Sequence, residues 1–170
     1  MKRIYILSAF LLSGLMTSGL SPSRDEEVLF RITRSRDANE IFYTVNPDKN
    51  GFLNTENPIT IYWLKRTEGN KTESLTWIQN KYAYGLHFLS ITPTEAEFQF
   101  VSYSKRSFYL RKNKDGNFRV FTFAGETEIE VDKIFVQIDG GSFWFPKVSR
   151  VELHARKTEC LTEIAEIINP

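Results

Sequence analysis

Aromatic side chains and a nearby lysine are concentrated in one stretch of the sequence, Asn57–Gly85. Trp77, Lys81 and Tyr84 are spaced at i, i+4 and i+7, so a helix would place all three on one flank. A helix flank that carries a tryptophan, a lysine and a tyrosine is a poor core face but suits the rim of a ligand site. We therefore predict that these three residues, together with Tyr62, border a binding site for an apolar or carbohydrate ligand.

The alternative for this stretch is purely structural, because large aromatic side chains mostly serve burial. Trp63 alternates with Ile59 and Ile61 along a predicted strand, so all three point to the same side of it. We expect Trp63 to point into the core or cavity and to be mainly a structural core residue, although in the binding interpretation it also forms the floor of the pocket. In the structural alternative all of the rings belong to the core, and the helix closes one end of a β-fold.

A strand, a turn and a short helix are needed to position these side chains. Glu68-Gly69-Asn70 predicts the turn, since glycine and asparagine tolerate turn conformations. The helix is predicted within residues 74–84, capped by Thr72 or Ser74 and ended by Gly85 in a left-handed conformation. The i, i+3, i+7 spacing of its apolar side chains predicts the inward face: Leu75, Ile78 and Tyr82.

The same stretch resembles a known family. N-P-I-T-I-Y-W, then a glycine-containing turn, then L-T-W-I-Q-N-K-Y-A-Y-G is similar to the central motif N-P-x-x-x-Y-W … L-x-x-I-Q-x-K-x-A-Y-G of an uncharacterised family of bacterial exported proteins, a domain of unknown function. The likeness runs from about Leu29 to the end of the chain, with Asn57–Gly85 as its distinctive part. After His154 the sequence departs from the family's more polar ending. The resemblance implies no activity and no catalytic residue.

Residues 1–21 have the pattern of a secretory signal peptide. Two basic residues open the chain, an apolar run follows over residues 4–16, and Thr17-Ser18-Gly19 offers small residues for cleavage. The run is short for a membrane span and no second one follows, so no integral membrane segment is expected after cleavage. We predict export to the periplasm or the extracellular space, with residues 22–170 as a single β-rich domain.

The charge balance argues against a nucleic-acid partner. The formal net charge of the chain is +1, and it becomes about −1 when Lys2 and Arg3 leave with the signal peptide. A near-neutral domain lacks the basic surface that phosphate backbones require. The expected partner is an unidentified lipid or glycan. Cys160 is the single cysteine, so it cannot form an internal disulfide, and we expect it to be buried.

Short alternating segments joined by tight turns predict the fold class. About ten such segments occur, and Asp115-Gly116 is the strongest hairpin signal among their connections. The predicted class is mainly β, an antiparallel sandwich or a closed or partly open barrel, with one short helix near residues 74–84. The closed barrel, lipocalin-like by shape analogy alone, is the first choice.

Two details of the strands are also predicted. The apolar alternation changes phase between Val131 and Ile134, which indicates a bend or bulge near Asp132-Lys133. From Thr158 to Asn169 the apolar residues have helical spacing. We therefore predict a C-terminal helix, with a final strand as the alternative.

The sequence predicts no cofactor and no metal site. His87 and His154 are far apart, and there is no pair of cysteines. Residues 46–57 imitate a calcium loop, but Asn57 stands where a bidentate glutamate is needed. The glycine patterns that cradle phosphate or present a nucleophilic serine do not occur.

Three functions remain open. The favoured one is an exported, non-catalytic binding module with an aromatic-lined pocket. The second is a hydrolase with a carboxylate pair, since such pairs meet in space rather than in sequence, and Glu73, Glu97 and Glu152 are available. The third is a protein–protein interaction module that uses a sheet edge or the Phe143–Phe145 segment. Whether the protein is an enzyme is left undecided by the sequence.

Overall fold

The computed structural model describes residues 27–141, 146–158, 160 and 162–168. The predicted signal peptide and the Phe143–Phe145 segment lie outside these ranges. Strand accounts for 67% of the structure, which confirms the mainly β class. The described residues form eleven strands: β1 Val28–Arg34, β2 Asp37–Val45, β3 Ile59–Lys65, β4 Lys71–Ser74, β5 Leu86–Ile91, β6 Glu95–Phe100, β7 Tyr103–Lys112, β8 Phe118–Ala124, β9 Thr127–Gly141, β10 Pro146–Lys157 and β11 Glu163–Ile168.

The strands form one curled, open sheet. Its main path runs β4-β3-β2-β1-β9-β8-β7-β6-β5 and makes a half-barrel, while β10 and β11 extend the sheet from β9. The path ends at β4 and β5, so the partly open barrel forms rather than the closed one. All neighbouring strands are antiparallel except β1 and β9, which are parallel.

The long strand β9 is the point where the sheet divides. One edge of β9 pairs with β8 over residues 127–130 and then with β1 over residues 133–136. The opposite edge pairs with β10 over most of its length. β1 leads into β2–β4 and β8 leads into β7–β5, so β9 holds two halves of the sheet that face each other.

A β-bulge marks the change of neighbour on β9. His154 pairs with Lys133 and Ala155 pairs with Val131, which leaves Asp132 without an opposite residue. The extra residue reverses the alternation, so that Val131 and Ile134 are both buried. The predicted bulge near Asp132-Lys133 is confirmed.

The core lies between the two halves of the sheet. The Phe30 ring on β1 stacks on Tyr43 of β2 with centroids 4.3 Å apart. The Phe100 ring on β6 packs edge-on against both, at 6.0 and 5.8 Å. Such edge-to-face contacts add to the free energy gained from burial. The two halves are therefore held together by aromatic side chains from strands distant in sequence.

The C-terminal element is a strand, so the predicted helix is wrong and the alternative is confirmed. β11 pairs with β10 over six residue pairs, from Val151–Ile168 to Arg156–Glu163. On β7, Arg106 donates two hydrogen bonds to the Glu166 carboxylate, at 2.8 and 2.6 Å, and these bonds hold the pKa of Glu166 below its ordinary value. Pairing and this ion pair override the local helical spacing of apolar residues.

The prediction for Cys160 is also wrong. Its side chain is exposed, because it lies in the connection between β10 and β11 rather than on a helix packed against the core.

Candidate functional site

The segment after β4 carries most of the residues predicted to bind a ligand. Its helix, α1, is the single turn Trp77–Gln79, and a π-helical turn, Asn80–Tyr84, continues it. Thr76 is the N-cap: its hydroxyl accepts a hydrogen bond from the backbone N–H of Gln79 at 3.3 Å, and the Gln79 side chain accepts one from the backbone N–H of Thr76 at 2.9 Å. This reciprocal capping box begins the helix.

Thr72 and Ser74, the predicted caps, instead belong to β4, a strand that was not predicted from the sequence. The pattern Thr76-x-x-Gln79 was the available signal for the correct cap. β4 pairs with β3 from Tyr62–Ser74 to Lys65–Lys71, so the turn around Gly69 closes a hairpin before the helix starts.

Trp63 connects the helical segment to the core. Its side chain is 4% exposed and belongs to the central apolar cluster. The indole N–H donates to the Gln79 side-chain oxygen at 3.3 Å, so the same amide that completes the capping box also fixes the helix to β3. The arrangement gives Trp63 a structural role, consistent with its inward position on the strand.

Tyr84 anchors the C-terminal end of the helical segment. Its ring meets Trp63 edge-on at 5.6 Å, and its hydroxyl accepts a hydrogen bond from the Arg34 guanidinium at 3.0 Å. Its backbone oxygen accepts a hydrogen bond from the Tyr43 hydroxyl at 2.7 Å. Burial, with a further contribution from Tyr84, raises the pKa of Tyr43 well above 10.0, so Tyr43 remains a neutral donor at physiological pH.

Arg34 contacts both of these aromatic residues, Trp63 and Tyr84. Its guanidinium carbon is 4.7 Å from the centroid of the Trp63 ring, and it forms an ion pair with Asp37 at the start of β2. The Nε of Arg34 is buried and has no hydrogen-bond partner among the described residues. Arg34, Trp63 and Tyr84 thus form a packed junction between the sheet and the helical segment.

Gly85 ends the segment for a steric reason. A Cβ atom at this position would lie 1.8 Å from the backbone oxygen of Asn80, because the π-helical turn brings that carbonyl against the glycine. The φ angle of Gly85 is −68°, so the predicted left-handed conformation is wrong. Glycine is required by close approach of the backbone rather than by handedness.

The opposite side of the segment is an exposed group that we call the aromatic ridge: Trp77, Ile78, Lys81 and Tyr82. The exposed fractions are 68% for Trp77, 60% for Tyr82 and 43% for Ile78. The rings of Trp77 and Tyr82 are perpendicular, at 89°, with centroids 6.1 Å apart. The Lys81 ammonium lies 4.8 Å from the Trp77 centroid and 5.2 Å from that of Tyr82.

The structure separates the predicted site residues into two groups. Trp77 and Lys81 are in contact on the ridge, as their i, i+4 spacing predicted. Tyr84 contacts Trp63 instead, because the wide π-helical turn rotates it away from the flank that an α-helix would give it. Ile78 and Tyr82 were predicted to face inward and are exposed, while Leu75 packs against the core.

Tyr62 is on β3 rather than on the helical segment that carries the ridge. Strand alternation places it on the face opposite to Trp63, where its ring stacks on Phe42 of β2 with centroids 5.8 Å apart and planes 9° apart. It is partly exposed and is paired in register with Ser74.

The carboxylates available for hydrolysis do not lie on neighbouring strands. Glu73 is on β4, Glu97 on β6 and Glu152 on β10, and no two of these strands pair with each other. Glu73 lies 3.8 Å from Lys65, Glu152 forms an ion pair with Arg150, and a Glu152 carboxylate oxygen lies 3.3 Å from the His154 Nε2.

The described part of the chain holds neither a cluster of potential metal ligands nor a membrane-spanning helix. No group of three or more potential metal-binding side chains occurs there. In the calcium-like loop, one oxygen of Asp48 accepts hydrogen bonds from the backbone N–H groups of Asn50 and Phe52, so it acts as a turn-forming group. No helix in the same residues has the length and apolarity needed to cross a membrane.

The fold and its anchored helical segment define a mainly β half-barrel with an exposed aromatic ridge. The chain belongs to the family described as domain of unknown function DUF4833, whose model matches residues 30–166. This match includes all strands except the first two residues of β1 and the last two of β11. Neither a curated protein nor a solved structure shows significant similarity to the chain.

Proposed function

We propose that the protein is an exported, non-catalytic binding module that takes a saccharide on the aromatic ridge. The observation that carries this proposal is the contrast between the two tryptophans of one short stretch. Trp63 is buried and fixes the segment, whereas Trp77, fourteen positions further on, is 68% exposed. A large ring held in water on an anchored support has no evident use in packing, and exposed apolar groups of this kind mark interaction sites.

The anchoring of the ridge supports recognition of a defined ligand. The capping box, the Trp63–Gln79 hydrogen bond and the contacts of Tyr84 fix both ends of the segment. A site whose geometry is fixed before binding loses less conformational entropy when the ligand arrives. Tyr84 therefore contributes by positioning the ridge rather than by contacting the ligand.

A saccharide fits the ridge better than an apolar ligand does. The perpendicular rings of Trp77 and Tyr82 form an open corner rather than a flat apolar surface. Lys81 places three N–H donors at that corner, and the neighbouring strand β4 is exposed and entirely polar. Sugars present C–H faces beside hydroxyl groups, so they match rings next to a donor. Lipid is the competing ligand class.

Fluorine NMR of protein labelled with 5-fluorotryptophan tests this function. The chain has three tryptophans, and Trp77→Phe assigns the Trp77 signal. We expect one of chitotriose, cellotriose and maltotriose to shift that signal saturably, and Trp77→Ala to weaken binding by about 30-fold, as for a central aromatic contact. Phe52→Ala, which removes another exposed ring outside the ridge, should leave affinity unchanged.

Two outcomes would overturn the saccharide proposal. One is a Trp77 signal that none of the three sugars moves. The other is a response to phosphatidylcholine vesicles alone, which would identify the ridge as a lipid-binding surface.

Export is part of the proposal and has a separate test. The charged start, the apolar run and the small residues of positions 1–21 support it. We expect the protein recovered from its native host to begin near Leu20 or Pro22, as read by mass spectrometry of the intact chain. Envelope protein that retains Met1 would contradict cleavage.

A further inference from the structure

A shallow depression lies on the face of β5–β9 that is turned away from the core. Its volume is about 320 Å³, at the lower end of the volumes of small-molecule sites. Its walls include six side chains from four adjacent strands: Glu95 and Glu97 of β6, Tyr109 and Arg111 of β7, Phe123 of β8 and Glu128 of β9.

The charges around this depression do not balance. Arg111 forms an ion pair with Glu128, so these two groups neutralise each other. Glu95 is opposite Arg111 in register, yet the guanidinium extends across Phe121, 4.5 Å from its centroid, towards Glu128. Neither Glu95 nor Glu97 forms a salt bridge with any residue that the structure describes. The depression therefore has two uncompensated negative charges.

Aromatic rings form the wall beside those carboxylates. Tyr109 is directly opposite Glu97 in the β6–β7 pairing. Its ring meets Phe123 edge-on, with centroids 6.2 Å apart, and Phe123 is 46% exposed. A row of glutamates alone would be an ordinary solvated strand face. Here the depression combines free carboxylates with aromatic faces, and both attract a cation.

We propose that this depression binds an organic cation, specifically an alkylammonium group such as a primary amine on a short aliphatic chain. Glu95 and Glu97 supply the opposite charge, and the Tyr109 and Phe123 rings cover the carbon atoms next to the ammonium. An inorganic cation would use the carboxylates but would gain little from Phe123, whereas an alkylammonium uses both parts of the site. The aromatic ridge takes no part, so this site is independent of the function proposed above.

Titration of ¹⁵N-labelled protein with n-butylammonium chloride tests the proposal, with sodium chloride at equal ionic strength as the reference. Amide signals of β6, β7 and β8 around Glu97, Tyr109 and Phe123 should shift saturably with the amine and remain in place with sodium. Glu97→Gln and Phe123→Ala should each weaken binding by about threefold to fivefold, as expected for one partly exposed charge pair or cation–π contact.

Matched variants separate this site from general attraction and from the ridge. Glu126→Gln removes the same charge from the turn between β8 and β9, outside the depression, and should keep full affinity. Trp77→Ala should also bind the amine normally. Equal losses in Glu97→Gln and Glu126→Gln, shifts that do not saturate, or shifts that sodium reproduces would each overturn the proposal.

Discussion

Trp63→Ala is expected to lower the free energy of unfolding by about 3–5 kcal/mol, the range for truncation of large aromatic side chains in cores. The ring is 4% exposed, and three groups depend on it: the Gln79 side-chain oxygen accepts a hydrogen bond from its indole N–H, the Tyr84 ring packs perpendicular to it, and the Arg34 guanidinium packs on its face. Urea unfolding followed by far-ultraviolet circular dichroism measures the loss without depending on tryptophan fluorescence.

Trp77→Ala provides the matched control, because it removes the same side chain fourteen positions further along the chain. Since Trp77 is 68% exposed, its truncation should cost less than about 1 kcal/mol, as is usual for surface positions. If the two variants lost equal stability, the result would contradict the proposal that Trp63 supports the helical segment while Trp77 is exposed on the ridge. In that case the ridge would be part of the packed structure rather than a binding surface.

The sequence predicted well the elements whose signals are local. Alternation of Ile59, Ile61 and Trp63 predicted β3 and the inward direction of its tryptophan. The Asp115-Gly116 turn does connect β7 to β8, with Gly116 at a φ of 82°. The phase change before Ile134 predicted the bulge on β9. The sequence signal for each of these features lies within about ten consecutive residues.

The sequence failed where pairing between distant segments decides the structure. The parallel pairing of β1 with β9 joins residues about 100 positions apart, such as Ile32 and Ile134, and no local pattern indicates it. β11 is a strand because the edge of β10 and the guanidinium of Arg106 are available to it. The spacing of apolar residues along one segment does not show which distant strand or side chain that segment will contact.

The geometry of the helical segment was predicted only in part for the same reason, because it also depends on contacts with distant strands. An α-helix of ordinary pitch would place Tyr84 beside Trp77, but the π-helical turn Asn80–Tyr84 changes the angular spacing within the segment. That turn depends on contacts of Tyr84 with Tyr43 and Arg34, which come from β2 and β1. The sequence therefore placed Trp77 and Lys81 together on one flank, while tertiary contacts decided that Tyr84 turns away from them.

Gly85→Ala should be the most disruptive of the small substitutions, lowering the free energy of unfolding by about 3 kcal/mol. The new Cβ would overlap the backbone oxygen of Asn80 at 1.8 Å, and a backbone carbonyl cannot move aside as a flexible side chain does. Overpacking costs about 1–3 kcal/mol when neighbours can adjust, so a clash with backbone belongs at the upper end. Urea unfolding measures the cost, and the ¹⁹F signal of Trp77 should shift because the π-helical turn must rearrange.

Gly116→Ala separates this steric effect from the loss of glycine itself. Gly116 has a φ of 82°, and no atom lies near the position that a Cβ would occupy. Alanine there should lower the free energy of unfolding only by the cost of a left-handed backbone conformation, about 1–2 kcal/mol. Gly85 has a φ of −68°, which alanine adopts freely, so its whole cost comes from the clash with Asn80. If the Gly85→Ala protein were as stable as the parent and its Trp77 signal did not move, the segment would tolerate an ordinary α-helical turn. The argument that the π-helical turn fixes the geometry of the ridge would then fail.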